Sequence, residues 1–221
     1  MRITLFYNGL SNGGARGWAV KDVLFDHQVT MVDASVDVNS EKFLEWCEEA
    51  PRELFIVAGF PQIFKPSLLS VPKHGVWNCH AGPLPEYRGG SPLNWQIIDG
   101  KEVLGVSLIK MDEGIDTGPI IDQTGFTLHH DETIREAHAK ANLAFASMVS
   151  RALKHFPPSP MPQGESQARY RKQRTDADGE FLLTWPPELI HNHVRALTHP
   201  YPGAWFRSGD RKVRVWSTSL A

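Results

Sequence analysis

Short apolar runs separated by helical patterns set the strongest limit on what this chain can fold into. Ile3 to Tyr7, Val29 to Val32, Leu54 to Ala58 and Gly75 to Asn78 are runs of four or five residues. They are too short for helices and suit strands covered on both faces. Among them lie two candidate helices. Trp18 to Phe25 carries apolar residues at Trp18, Val20, Val23 and Leu24, and Glu41 to Glu49 follows the second run. Such alternation predicts an α/β domain built on a mainly parallel sheet. Further on, Pro92 to Ile98 reads as a helix with proline in its first turn. Val103 to Ile109 and Ile120 to Leu128 read as strands, and Asp131 to Phe156 as the longest helix. Thr133-x-x-Glu136 supplies a capping box for it, and Ile134, Ala137, Ala141, Phe145, Met148, Val149, Ala152 and Phe156 form one apolar face.

The segment from Pro157 to Gln167 carries four prolines, so it is a linker or an extended edge passage. The division expected is a catalytic domain over residues 1–156 and a linker with a short C-terminal appendage over 157–221. Within the appendage, Pro186 to Thr198 reads as a helix, and PYPGAWF and KVRVW as strands. A formal net charge of −2 gives no general footprint for nucleic acid or an anionic membrane. The two cysteines, Cys47 and Cys79, sit in no metal-like spacing. No metal is expected. The N-terminal apolar run is too short for a signal peptide, and no stretch approaches ~18 apolar residues. These features predict a reduced, cytoplasmic protein.

Two stretches carry candidate chemistry. Asn8 to Gly17 (NGLSNGGARG) follows a strand and opens a helix. That is the context for holding an anionic group on backbone amides, or for a plain tight turn. It matches neither GxGxxG nor the Lys-Ser/Thr ending of a P-loop, which argues against a nicotinamide enzyme or an NTPase. The second stretch runs from Trp77 to Gly89. Asn78 and His80 are two apart at the end of a strand, so both project to the same face if the strand reaches His80. Asp116 is the best-placed carboxylate of a polar loop 36 residues beyond His80. Taken singly, each of the three has an ordinary structural explanation.

Together the residues NCHAGPLPEYRGGSPLNWQIIDGKEVLGVSLIKMDEGIDTGPII resemble the core signature of the folate-dependent formyltransferases. That family includes methionyl-tRNA, glycinamide ribonucleotide and sugar-nucleotide N-formyltransferases. Asn78, His80 and Asp116 match its three catalytic positions, and Gly82-Pro83-Leu84-Pro85 departs from its usual Ser-Leu-Leu-Pro. The resemblance implies a Rossmann-like core and transfer of formyl from N10-formyltetrahydrofolate to a primary amine. Acyl transfer needs a donor for the oxygen that gains charge and a place for the amine's proton. The Asn78 amide suits the first, and His80 with Asp116 the second, with the base left open between them. Cys79 alternates with them and points into the protein.

The resemblance also implies a folate pocket. Phe60, Pro61, Gln62, Ile63 and Phe64 would line one side, and Met111, Asp112, Glu113, Gly114 and Ile115 would close the other. Asn8, Gly9, Ser11, Asn12, Gly13 and Arg88 are candidates for the acceptor, with a structural salt bridge as the alternative role of Arg88. RALTHPYPGAWF looks like the start of the family's C-terminal region, but only Arg207 to Ala221 follows, too little for a complete β-barrel. A nucleotide-linked amino sugar is therefore the expected acceptor rather than tRNA. Glycinamide ribonucleotide, or hydrolysis of the same folate, is the alternative. The tail from Trp185 to Trp216 packs under the sheet or contributes to a homodimer.

Overall fold

The computed structural model of the chain describes residues 1–8 and 17–220. It begins β1 (Arg2–Tyr7), α1 (Trp18–Asp22), β2 (Gln28–Asp33), α2 (Glu41–Glu48), β3 (Leu54–Ala58), α3 (Pro66–Leu69) and β4 (Val76–His80). It continues β5 (Arg88–Gly89), α4 (Pro92–Ile98), β6 (Val103–Lys110), β7 (Ile120–Thr127) and α5 (Ile134–Lys154). The rest is β8 (Tyr170–Arg171), α6 (Pro187–Leu197), β9 (Ala204–Ser208) and β10 (Arg211–Val215).

Six strands form one sheet in the order β2-β1-β3-β4-β6-β7. The first four pair in parallel, and β6 and β7 close the sheet antiparallel. The apolar runs of β1, β3 and β4 are strands because each buries both faces, while β2, at the sheet edge, fully buries only Val32. Ile3 and Leu5, Leu54 and Ile56, and Trp77 and Cys79 join a larger core cluster, while Phe6, Phe55, Val57 and Val76 join a smaller one. The larger cluster is covered by α1, α4, α5 and α6, and the smaller by α2, through Phe43 and Cys47. Between β1 and β3 the connections leave in opposite directions, which opens a crevice at the strand C-termini.

Helix α5 starts at the expected capping box, with Thr133 and Glu136 bonding reciprocally. Helix α1 stops at Asp22, short of the predicted Phe25, which is 81% exposed. The proline-rich passage is extended, and Met161 exchanges two backbone hydrogen bonds with Ile120 at the sheet edge, 2.7 and 2.8 Å long. The tail is part of the same core. Phe181, Val194, Ala196, Leu197 and Ala204 all belong to the larger cluster, because α6 lays its apolar face on α4 and α5. Strands β9 and β10 form a two-stranded hairpin. No helix among the described residues is long and apolar enough to cross a membrane.

Candidate active site

Strand β4 extends to His80. Trp77 and Cys79 therefore take the larger cluster, and Asn78 and His80 share the opposite face. The loop from Asp112 brings Asp116 back to them. Asp116 Oδ1 lies 3.4 Å from His80 Nδ1 and 3.5 Å from Asn78 Nδ2. Its other oxygen accepts the Gly89 N–H at 2.9 Å. Asp116 itself has φ 55°, the left-handed region that aspartate tolerates better than most residues. Gly118 follows two residues later, where a Cβ would sit 1.9 Å from the Lys110 carbonyl oxygen, so this return of the loop requires glycine.

The imidazole of His80 is buried and fixed at both nitrogens. Nε2 is 2.6 Å from the Tyr87 carbonyl oxygen. A carbonyl only accepts, so Nε2 carries hydrogen and Nδ1 is the nitrogen that faces Asp116. The loop after β4 is fastened to the sheet by Ser107 and Gln123. Ser107 Oγ donates to Gly82 O at 2.8 Å and accepts from Leu84 N at 3.1 Å, and Gln123 Nε2 donates to Leu84 O at 3.0 Å. Burial pushes the Cys79 thiol up to about 12, so the residue between the two polar ones is inert packing. Burial, then Asp99, pushes the Tyr87 phenol up to about 12 as well. No cluster that could hold a metal occurs among the described residues.

The expected folate segment divides. Phe60 and Met111 both pack against the smaller cluster, and Pro61, Ile63, Asp112, Glu113, Gly114 and Ile115 are exposed around them. Asp112 is occupied by its own loop, accepting from Gly114 N and Thr117 Oγ1. Two residues depart from the expectation. Phe64 is only 4% exposed and lies edge-on to Phe6 at 4.9 Å, so it is core rather than pocket wall. Gln62 donates to the carbonyls of Ala34 and Val36 and accepts from Val38 N, so its amide holds the loop after β2.

Arg88 also resolves to its alternative role. It is fully buried, and all five of its N–H groups are used, on Gln163, Glu165 and Tyr170. It offers nothing to an acceptor. Asn8 stands at the C-terminal end of β1, while Gly9, Ser11, Asn12 and Gly13 lie outside the described residues. Sequence reasoning missed Gln163, the Gly89 N–H and the Tyr87 carbonyl. The last two are main-chain groups without a side-chain signature, and Gln163 was hidden in a proline-rich passage.

Two family matches span most of the chain. Formyl transferase matches residues 21–153, and the formyl transferase C-terminal domain matches 174–221. Among solved structures, a methionyl-tRNA formyltransferase from Clostridium thermocellum aligns at 22% identity and TM-score 0.82, over 100% of this chain and 94% of its own. A sugar N-formyltransferase from a Shewanella species aligns at 20% and 0.77, over 100% and 99%. An N-formyltransferase from Helicobacter canadensis, solved with folinic acid and dTDP-3-aminofucose, aligns at 21% and 0.70, over 88% and 79%. These likenesses describe a shared fold. With both family segments resting on one core, and the fold shared along its length, the chain belongs to the folate-dependent formyltransferase family.

Proposed function

We propose that this enzyme moves a formyl group from N10-formyltetrahydrofolate to the amine of a nucleotide-linked amino sugar, using Asn78, His80 and Asp116. The observation that carries the reading is the meeting of amide, imidazole and carboxylate at the end of β4, within 3.5 Å of one carboxylate oxygen. The donor set fits a folate co-substrate: an N–H donor, a proton-exchanging pair, and a rim that carries Ile63 and Ile115, 76% and 57% exposed. When bound, the folate supplies the formyl carbonyl on N10.

The chain's own groups then have separate tasks. The Asn78 amide presents an N–H where negative charge develops, the role of an oxyanion donor. The Tyr87 carbonyl holds His80 so that only Nδ1 changes protonation. When Nδ1 carries a proton, Asp116 Oδ1 holds it, and when it does not, the pair presents two acceptors to the site. The amine's proton goes to that pair, and N10 takes a proton as its bond to the formyl carbon breaks. Gly89 fixes the far oxygen of Asp116, so the carboxylate stays aimed at His80.

Support for the sugar acceptor comes from two of the structural relatives, named as a sugar N-formyltransferase and as a complex with dTDP-3-aminofucose. Methionyl-tRNA is the second reading, because a methionyl-tRNA formyltransferase superposes over 94% of its own chain. The deciding experiment offers N10-formyltetrahydrofolate with amino-sugar nucleotides, glycinamide ribonucleotide or methionyl-tRNA. A further arm without acceptor measures formate release. Turnover on one amino-sugar nucleotide is expected, falling ~10²-fold or more in Asn78→Ala, His80→Ala and Asp116→Ala. Transfer to tRNA or glycinamide ribonucleotide alone would overturn the sugar reading, and native rates in the three variants would overturn the site.

A further inference from the structure

The proline-rich passage after α5 grips both loops of the site, and one side chain makes the grip. Gln163 uses its whole amide. Nε2 donates to the carbonyl of Asp116 at 2.8 Å and to that of Gly118 at 2.7 Å. Oε1 accepts from Arg88 Nε at 3.1 Å and from Nη2 at 3.0 Å. The same guanidinium is forked onto Glu165, at 2.7 and 3.0 Å. Arg88 is fully buried, and its neighbour Gly89 gives its N–H to the Asp116 carboxylate. One chain of bonds thus runs from the Glu165 carboxylate through Arg88 and Gln163 to the backbone of Asp116.

Asp116 needs an external hold. A residue with a Cβ at φ 55° sits in a sparsely populated conformation, which persists where the surroundings over-determine it. Gln163 bonds the carbonyls of Asp116 and Gly118, on the strained residue and just beyond it. We propose that Gln163 is a positioning residue for formyl transfer: its amide, oriented by Arg88, holds the Asp116 backbone in the conformation that turns the carboxylate onto His80 and Asn78. This rests on the assignment of Asn78, His80 and Asp116 made above. Gln163 touches no reacting atom and acts through Asp116.

The test compares native protein with Gln163→Met, which keeps the length and loses the amide, and Gln163→Asn, which keeps the amide on a shorter stem. Asp116→Asn stands beside them. In histidine-15N-labelled protein, the His80 Nδ1 resonance is identified by its loss in His80→Gln. Both Gln163 variants are expected to move that resonance most of the way to its position in Asp116→Asn. In formyl transfer, kcat falls ~10–10²-fold while KM for the formyl donor stays within ~3-fold. If Gln163→Met fails to fold, Gln163→Asn carries the comparison. Native kcat in a folded Gln163 variant overturns the proposal, and so does an unmoved His80 resonance. Where Asp116→Asn is inactive and the Gln163 variants are native, only the Gln163 assignment fails. Where Asp116→Asn transfers formyl at the native rate, the catalytic assignment fails and takes this one with it.

Discussion

A single cysteine shows how finely the site separates reactive from inert groups. Cys79 stands between Asn78 and His80 in sequence, yet it points to the opposite side of the sheet, into the larger cluster. Burial pushes its thiol to about 12 and that of Cys47 to about 11. These are the chain's two cysteines. Thiolate is the reactive form, so alkylation by iodoacetamide at neutral pH should leave native activity intact and label both thiols after denaturation. Loss of activity with labelling of the folded protein would contradict this burial. The shared face of Asn78 and His80 was legible in the sequence because a strand's period of two fixes which side chains share a face, whereas Asp116 entered through the family resemblance. Arg88 was not legible, since its partners Gln163 and Glu165 lie 75 and 77 residues away. Phe64 was hidden for a similar reason. Its ring, in the loop after β3, meets Phe6 of β1, a neighbour that no local pattern announces.

Helix α6 was readable as an element, and its burial follows from its pattern. What the pattern did not reveal is the cost of placing His193 in that buried face. His193 is 4% exposed, neither ring nitrogen meets a hydrogen-bond partner in good geometry among the described residues, and Trp185 stands edge-on at 5.5 Å. Burial, and then the Arg174 charge, lowers its pKa to about 4. In the unfolded chain it takes a proton near the ordinary value of about 6.5. Between these limits the unfolded state binds more protons. Stability from this group is therefore complete above about 6.5, falls as pH drops toward about 4, and changes no further below, about 3 kcal/mol in all. His193→Phe keeps the aromatic contacts and should flatten the dependence of Tm on pH across that window. An unchanged slope in the variant would show that His193 is not the group responsible.

At the scale of the molecule, the tail is held by the core it helps to form. Leu197 is 5% exposed within the larger cluster, alongside Leu93, Ile97 and residues of α5. Leu197→Ala should cost about 2–5 kcal/mol. Urea unfolding followed by far-UV circular dichroism and by tryptophan emission should show one shared transition, moved to lower urea. An early separate step would support the expected division at residue 157. The extended passage between the two family segments has another consequence. The three proposed catalytic residues precede β7, and Gln163 follows the 21 residues of α5. On a ribosome, those three side chains emerge well before the segment proposed to orient them. A nascent chain that already holds the three proposed catalytic side chains therefore still waits for the proposed strap.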